Sequence, residues 1–578
     1  MYRTLLGTLV ACAALSHIAF AQIQRPPGSL TPGPPPARDT SKPPTTGTAK
    51  IRGRVIAADT GNPLRGALVQ ATAAEFQMRR ATNTDADGVY EIDALPAGRY
   101  TLSVSKGGYV GLQFGQQRPF EQGRPLELTD AQAAERIDFV LPRGGVITGR
   151  IVDSFGDPIA GIRVDARRYQ YLPDGQRQLV PVGGFGSIAS DDRGHYRIYG
   201  LMPGTYVVAA APGGSGMIAM PGPGGAMTTR SQNAGFATTY FPGTAAADEA
   251  QAITVSLGQE AIADFGLVAV KVARVSGTVR DSQGKPFSGA SLTLRQPQMR
   301  LGEPPAFSQT GNDGEFAFAN VAPGNYVLEV RRMPRRPGAT AADESASMPV
   351  TVGGDVANLL VTTAAGTTVR GRVVFEGAKP PPAAAQPLRV LPSPAEIGTT
   401  FFSAGSQNNG IVGADGDFQI TGVFGNVLFR VIPMPPGWIQ KRVTLAGRDI
   451  TDTGIDMPPG GSLDALEVVV TNRVSTLTGT VRNGRGESVT DYVLVVLPRY
   501  AKEGANQMRY VATARPDQQG RFQLRGRPPG EYVAMAVASL EQNGAWDPSF
   551  QERVRVQGKP FVIREGESVT LDLEISSD

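Results

Sequence analysis

The chain has 578 residues, enough for three to six domains. Its 71 glycines and 46 prolines make up about a fifth of it, against an average nearer 12%, which excludes a mainly helical protein or a coiled coil. A hydrophobic content of 41% with only 19% charged residues excludes wholesale disorder, and a net charge of +4 makes no field strong enough for a nucleic-acid binder.

Arg3 is followed by an apolar run from Leu5 to Phe20 that ends at Ala19-Phe20-Ala21, the small-x-small pattern of a signal-peptidase site. Residues 1–21 read as a signal peptide cleaved after Ala21, so the protein is expected to be secreted, periplasmic or on the cell surface. The run is shorter than the ~20 apolar residues of a membrane span, and no later stretch supplies one. The one cysteine, Cys12, lies within it, so a mature chain starting near Gln22 would have no disulfide and no thiolate site. Leu9-Val10-Ala11-Cys12 also resembles a lipobox, the alternative in which Cys12 is lipidated, but it leaves only eleven preceding residues. Residues 22–49, with Pro26-Pro27-Gly28 and Lys42-Pro43-Pro44, read as a proline-rich disordered linker.

From Ile51 onward one unit recurs five times. Each copy opens on an alternating strand around a glycine: Gly53, Gly149, Gly277, Gly371 and Gly479, about a hundred residues apart. A turn follows in four of them, as in Gly61-Asn62-Pro63 and Gly156-Asp157-Pro158, and as Gly484-Arg485-Gly486 in the fifth. Next comes a hairpin turn with an aromatic two residues after its glycine: Gly88-x-Tyr90, Gly194-x-Tyr196, Gly314-x-Phe316, Gly416-x-Phe418 and Gly520-x-Phe522. Strand alternation puts that aromatic on the core face with Ile92 and its equivalents.

Twelve residues past the turn glycine stands a tyrosine, Tyr100, Tyr206, Tyr326 or Tyr532, each behind a Pro-Gly type turn. The fourth copy departs, with Gly425-x-Val427 in that place. Every copy closes on another alternating strand, from Ile137–Leu141 to Leu571–Ile575. Only Ala131–Glu135 looks helical. Short strands between turn signals predict an all-β protein, a tandem array of about five antiparallel seven-stranded β-sandwiches of prealbumin- or immunoglobulin-like type. The predicted boundaries are 50–143, 144–271 (with loop insertions), 272–366, 367–472 (degenerate) and 473–578. Five such domains in a row would span on the order of 150 Å.

The order Gly-x-Val, Gly-x-Pro, Asp-Gly-x-Tyr, Pro-x-Gly-x-Tyr resembles the carboxypeptidase regulatory-like domain, a transthyretin-like sandwich. It is nearest in Ile51–Tyr109, where Lys106-Gly107-Gly108-Tyr109 follows the tyrosine strand. The resemblance implies an extracytoplasmic domain, grouped with starch-binding-like folds, that accompanies catalytic domains and lacks their metal site. Tyr240-Phe241-Pro242-Gly243-Thr244 is similar to a segment of large secreted proteins of soil bacteria.

No catalytic, cofactor or metal site is expected. Of two histidines, His17 leaves with the leader and His195 takes the slot filled by Val89, Glu315, Asp417 and Arg521 in the sister copies, a solvent-facing hairpin position. Asn83-x-Asp85-x-Asp87-Gly88 begins like a calcium loop but has Ala94 where a bidentate glutamate belongs, so a plain turn is expected. Lys50 and Lys271 precede opening strands as in internally cross-linked adhesins, but no closing strand offers a consistent asparagine. Arg331, Arg332, Arg335 and Arg336 read as a solvated loop, and Pro212–Met227 as a flexible one. The candidate ligand residues are aromatics expected in loops, Trp438, Trp546, Tyr169, Tyr171, Tyr240 and Phe241, whose rings would suit a sugar face. The expected partner is a carbohydrate or envelope polymer. The alternative is another envelope protein, in a scaffold accessory to a secreted peptidase or transporter.

Overall fold

A computed structural model describes residues 47–576 apart from 74–77, 183–187, 213–217, 222–226, 231–234, 298–304, 333–343, 378–386, 396–409, 436 and 501–506. The expected leader and most of the linker lie outside the described residues, as do Arg335 and Arg336. The fold is all-β, 56% strand, with one α-helix among the described residues.

The same two-sheet plan recurs along the chain. In one sheet an opening strand pairs with the strand that carries the hairpin aromatic: Ala49–Ala57 with Val89–Leu95, Gly145–Val152 with His195–Leu201, Ala273–Arg280 with Glu315–Val321, Thr367–Glu376 with Asp417–Val423, and Thr476–Arg482 with Arg521–Arg525. In the other sheet a middle strand pairs antiparallel with the tyrosine strand, as Leu68–Ala73 does with Gly98–Ser105 and Val493–Pro498 with Gly530–Val537. Each opening strand also runs parallel to its closing strand, with Val55 beside Phe139 and Val481 beside Leu573. These parallel pairs depart from the antiparallel ladders expected of each sandwich, and in the last stretch the closing strand also runs parallel to the tyrosine strand, with Ala536 beside Ile575.

Alternation fixes which side chains go inside. In Ala49–Ala57 the residues Ala49, Ile51, Val55 and Ala57 are buried, and they pack with Tyr90, Ile92, Tyr100 and Leu102. Four further cores of this kind are built from residues 147–267, 273–361, 369–470 and 477–573. In the fourth, Val427 is fully buried in the place of the missing tyrosine.

Several expectations are corrected. Ala131–Glu135 is not helical: Ala131 has a positive φ and Ala133–Ala134 pairs parallel to Lys50–Ile51. The helix lies instead at α1 (Pro548–Gln557), where the Asp547 carboxylate caps the Ser549 N–H at 2.9 Å and Pro548 takes the first turn. Val554 of α1 packs on Val493, Val495, Val533 and Met535, so those two strands are buried on both faces. Their unbroken apolar runs match such double burial.

The Pro212–Met227 stretch is not one loop. Ile218–Pro221 and Met227–Arg230 form a hairpin, and Met227–Arg230 joins the edge of Ala306–Gln309 in the third stretch. Arg331 and Arg332 end the strand Gly324–Arg332 rather than lying in a loop. Nor do the stretches run simply in a row, because the first and last meet directly.

Candidate functional site

The repeated motif residues hold the sandwiches together. The Tyr90 hydroxyl donates to the Ile137 carbonyl at 2.6 Å, and Tyr196 does the same to Ala263 at 2.6 Å. The tyrosines twelve residues past each turn glycine donate four residues back, Tyr100 to Pro96 at 2.7 Å, Tyr206 to Met202 at 2.5 Å, Tyr326 to Ala322 at 2.9 Å and Tyr532 to Pro528 at 2.8 Å. Each satisfies a turn carbonyl that the next strand would otherwise leave unpaired. Burial pushes the Tyr532 hydroxyl up to about 12 and those of Tyr206 and Tyr196 higher still.

Sequence reasoning missed the residue that shapes the hairpin turn. It is the acid three positions before the glycine: one Asp85 oxygen accepts from the Asp87 and Val89 N–H groups at 2.9 and 2.8 Å. Asp191 and Asp517 repeat this, and glycines replace them at 311 and 413. The signal was available, since Asp and Asn side chains close such turns locally. The hydrogen bond from the His195 backbone N–H leads in holding the Asp191 carboxyl below its ordinary range, against a weaker opposing push from burial. His195 itself is exposed, 3.9 Å from Asp191. Among the described residues no group of three or more His, Cys, Asp or Glu side chains is placed to hold a metal ion.

The aromatics singled out as ligand contacts are placed differently from one another. Trp438 is buried in the fourth core, edge-on to Phe375 at 5.3 Å. Tyr240 is not in a loop but on the strand Thr239–Tyr240, buried, with the Arg167 guanidinium 5.8 Å from its ring. Phe241 follows it and packs edge-on to Phe265. Tyr169 and Tyr171 lie on the strand Arg163–Tyr171, not in an inserted loop. Tyr169 is 39% exposed, but Arg177 covers its ring at 4.0 Å and its hydroxyl donates to the Ala247 carbonyl. Trp546 is half-buried, packed beside Val554 and Phe550. The structure brings none of the six into a shared platform. It does join their neighbours: Asn543 donates to Gln170 at 3.0 Å.

That contact belongs to a junction of the first, second and last stretches. The segment Arg118–Arg124 leaves the first sandwich and is held on both sides. The Phe120 carbonyl accepts from the Gln542 N–H at 2.8 Å, its ring lies 3.5 Å under the Arg168 guanidinium, and Arg168 also pairs with Glu541. Arg515, 1% exposed, forks between Glu121 at 2.9 Å and Asp491 at 2.8 Å, while Arg124 meets Asp491 at 2.8 Å. Burial pushes the Asp491 carboxyl up, but the hydrogen bond from Arg124 and the charge of Arg515 outweigh it and keep it below its ordinary value. Beside this junction Arg99 donates to the Gln523 carbonyl at 3.3 Å, at the wall of an open cleft of about 440 Å³ between the first and last stretches. The fourth and fifth stretches meet through Lys441, between Glu376 at 2.6 Å and Glu565 at 2.9 Å.

The model of the carboxypeptidase regulatory-like domain matches residues 50–142 and 274–364. No curated protein matches the chain. Among solved structures, a streptococcal ancillary pilin is similar at 12% identity over 54% of this chain and 98% of its own, with a TM-score of 0.19. GBS52, the minor pilin of Streptococcus agalactiae, is similar at 15% identity over 39% of this chain and 97% of its own, with a TM-score of 0.18. The Bacillus anthracis TIE protein is similar at 9% identity over 89% of this chain and 68% of its own, with a TM-score of 0.13. Among the described residues no helix is long and apolar enough to cross a membrane.

Proposed function

We propose that this chain, which carries two carboxypeptidase regulatory-like domains, is a non-catalytic extracytoplasmic scaffold of five β-sandwiches, with boundaries at 50–143, 144–271, 272–366, 367–472 and 473–578, that presents a fixed surface to another envelope protein. The observation that carries it is the buried Arg515–Glu121 pair, which ties residues 394 positions apart into one body. A buried pair of this kind is strongly disfavoured when one partner leaves, so it favours one relative placement of the stretches it joins. Such fixed geometry suits presentation of surfaces more than it suits a flexible tether.

The polymer-binding reading keeps one supporting observation, the partial exposure of Tyr169. The other five aromatics are buried or half-buried by packing, and that is why the scaffold reading is preferred.

The test has two arms. In the first, the purified full chain is assayed against peptide, ester and glycoside substrates, and no turnover is expected. In the second, a photo-crosslinker placed on the exposed Phe155 or Tyr500 side chain of the chain in its own cell envelope should give one defined adduct with another envelope protein. Turnover abolished by substitution of a carboxylate would overturn the reading, as would adducts with polysaccharide alone.

A further inference from the structure

The outer face of the second sheet in the third stretch holds one charge without a partner. Three neighbouring strands there, Ala290–Arg295, Gly324–Arg332 and Glu344–Val352, pair so that Ser291, Arg331 and Ser345 stand side by side in one cross-strand row. Leu292, Leu294, Leu328, Val330 and Val350 point to the core. Alternation therefore sets the three row residues on the opposite face, with about 5 Å between neighbouring Cβ atoms. Arg331 is half-buried there rather than solvated.

Two guanidinium groups share this face with one carboxylate. Arg295, 8% exposed, takes Glu329 through Nη2 at 2.8 Å and Nε at 2.9 Å. The next acid, Glu344, precedes Ser345 but belongs to the inner side of its strand, where it accepts from Ser282 and Thr363. Arg331 is left over. Among the described residues its guanidinium and the Ser291 and Ser345 hydroxyls make no hydrogen bond or ion pair. Burial pushes the Arg331 guanidinium below its ordinary value, and the Glu329 charge opposes that only in part. A half-shielded charge without a counterion is a cost to the fold that a bound anion removes.

The donors select the anion. Arg295, Glu329 and Arg331 together carry a single net positive charge, so a singly charged group balances them and a dianion overshoots. A carboxylate would spend both its oxygens on the guanidinium fork and leave the two hydroxyls without an acceptor. A tetrahedral ester has oxygens enough to reach the fork and a hydroxyl on either side of it. We infer that the row Ser291–Arg331–Ser345 binds a singly charged tetrahedral oxyanion, the group carried by phosphodiesters and sulfate esters. This is independent of the scaffold reading, which stands if no anion binds.

The test follows dimethyl phosphate and methyl sulfate in separate titrations of the full chain, by NMR line broadening of the ligand, with acetate as the planar control. Saturable binding of at least one ester, tighter than that of acetate, is expected, and the tighter ester identifies the source chemistry. Arg331→Gln should weaken it about tenfold or more, and Ser291→Ala and Ser345→Ala about threefold each. Arg331→Lys should weaken it too, since an ammonium keeps the charge and loses the fork. Arg525→Gln, at an exposed arginine of the last stretch, should leave it unchanged. An unchanged thermal transition separates lost binding from lost fold, and the two serine variants carry the test should Arg331→Gln not fold. The proposal falls if neither ester saturates, if the row variants bind as well as the parent, or if acetate binds as tightly.

Discussion

Gly53 and Tyr90 face each other across the first ladder, and the Ile137 carbonyl that accepts from the Tyr90 hydroxyl occupies the space where a Gly53 side chain would begin. The arrangement recurs with Gly149, Tyr196 and Ala263, and with phenylalanine in place of tyrosine at Gly277, Gly371 and Gly479. The glycine therefore admits the backbone leading into the closing strand rather than supplying a turn. Gly149→Ala should destabilise the second stretch by about 1–3 kcal/mol, the usual cost of overpacking a filled site. Urea unfolding followed by tyrosine fluorescence measures it, and an unchanged midpoint would refute the account.

Tyr532 predicts an alkaline weakness. Its hydroxyl has an ordinary value of 10.0 raised to about 12 by burial in the folded chain. A raised value means stability is fully present below pH 10 and is lost as pH climbs from 10 towards 12, because the unfolded chain ionises first. Tyr532→Phe should cost about 1 kcal/mol at neutral pH through the lost bond to Pro528 and should flatten this decline. Unfolding midpoints measured from pH 8 to 12 test both effects together.

Arg515→Ala would leave Glu121 buried without its main partner, in a site where one of its oxygens already has none among the described residues. Breaking a buried pair in this way costs about 3–5 kcal/mol. The expected result is separation of the first and last stretches with each sandwich still folded, read as a larger radius of gyration in small-angle scattering with an unchanged β signal. Arg515→Lys should fail to restore the docked form, since an ammonium does not fork to Glu121 and Asp491 as the guanidinium does.

The two tryptophans should respond oppositely to a soluble quencher. Trp438 is 7% exposed beside Phe375, whereas Trp546 is half-buried. In Trp546→Phe the remaining fluorescence should resist acrylamide, and in Trp438→Phe it should be quenched. Trp438→Ala should cost about 3–5 kcal/mol as a core truncation.

What could be read from the sequence is local. The glycine, hairpin aromatic and tyrosine recur because each meets a constraint set within its own hundred residues, so the sandwich plan shows in their spacing. The residues that escaped notice depend on distant partners. Glu121 is an ordinary acid until Arg515 arrives from 394 positions away, and Phe120 becomes a wedge only when Arg168 and Gln542 close on it. The aromatics misled because a ring next to Pro and Gly reads as a loop tip, whereas Trp438 turns inward to Phe375 and Tyr240 is covered by its own insertion. Helix α1 is a plainer oversight: Asp547-Pro548 is a start signal, passed over amid so many strand repeats.

The parallel pairing of opening and closing strands has a mechanical consequence. Where Val55 lies beside Phe139 and Val373 beside Val468, both strands point the same way, so the chain enters each sandwich at one end and departs at the other. Tension along the polypeptide would then slide the two strands past each other, loading the bonds between them together instead of opening them one by one as a zipper does. A chain loaded in this way would give way slowly, its lifetime set by a rate of rupture rather than by its equilibrium stability.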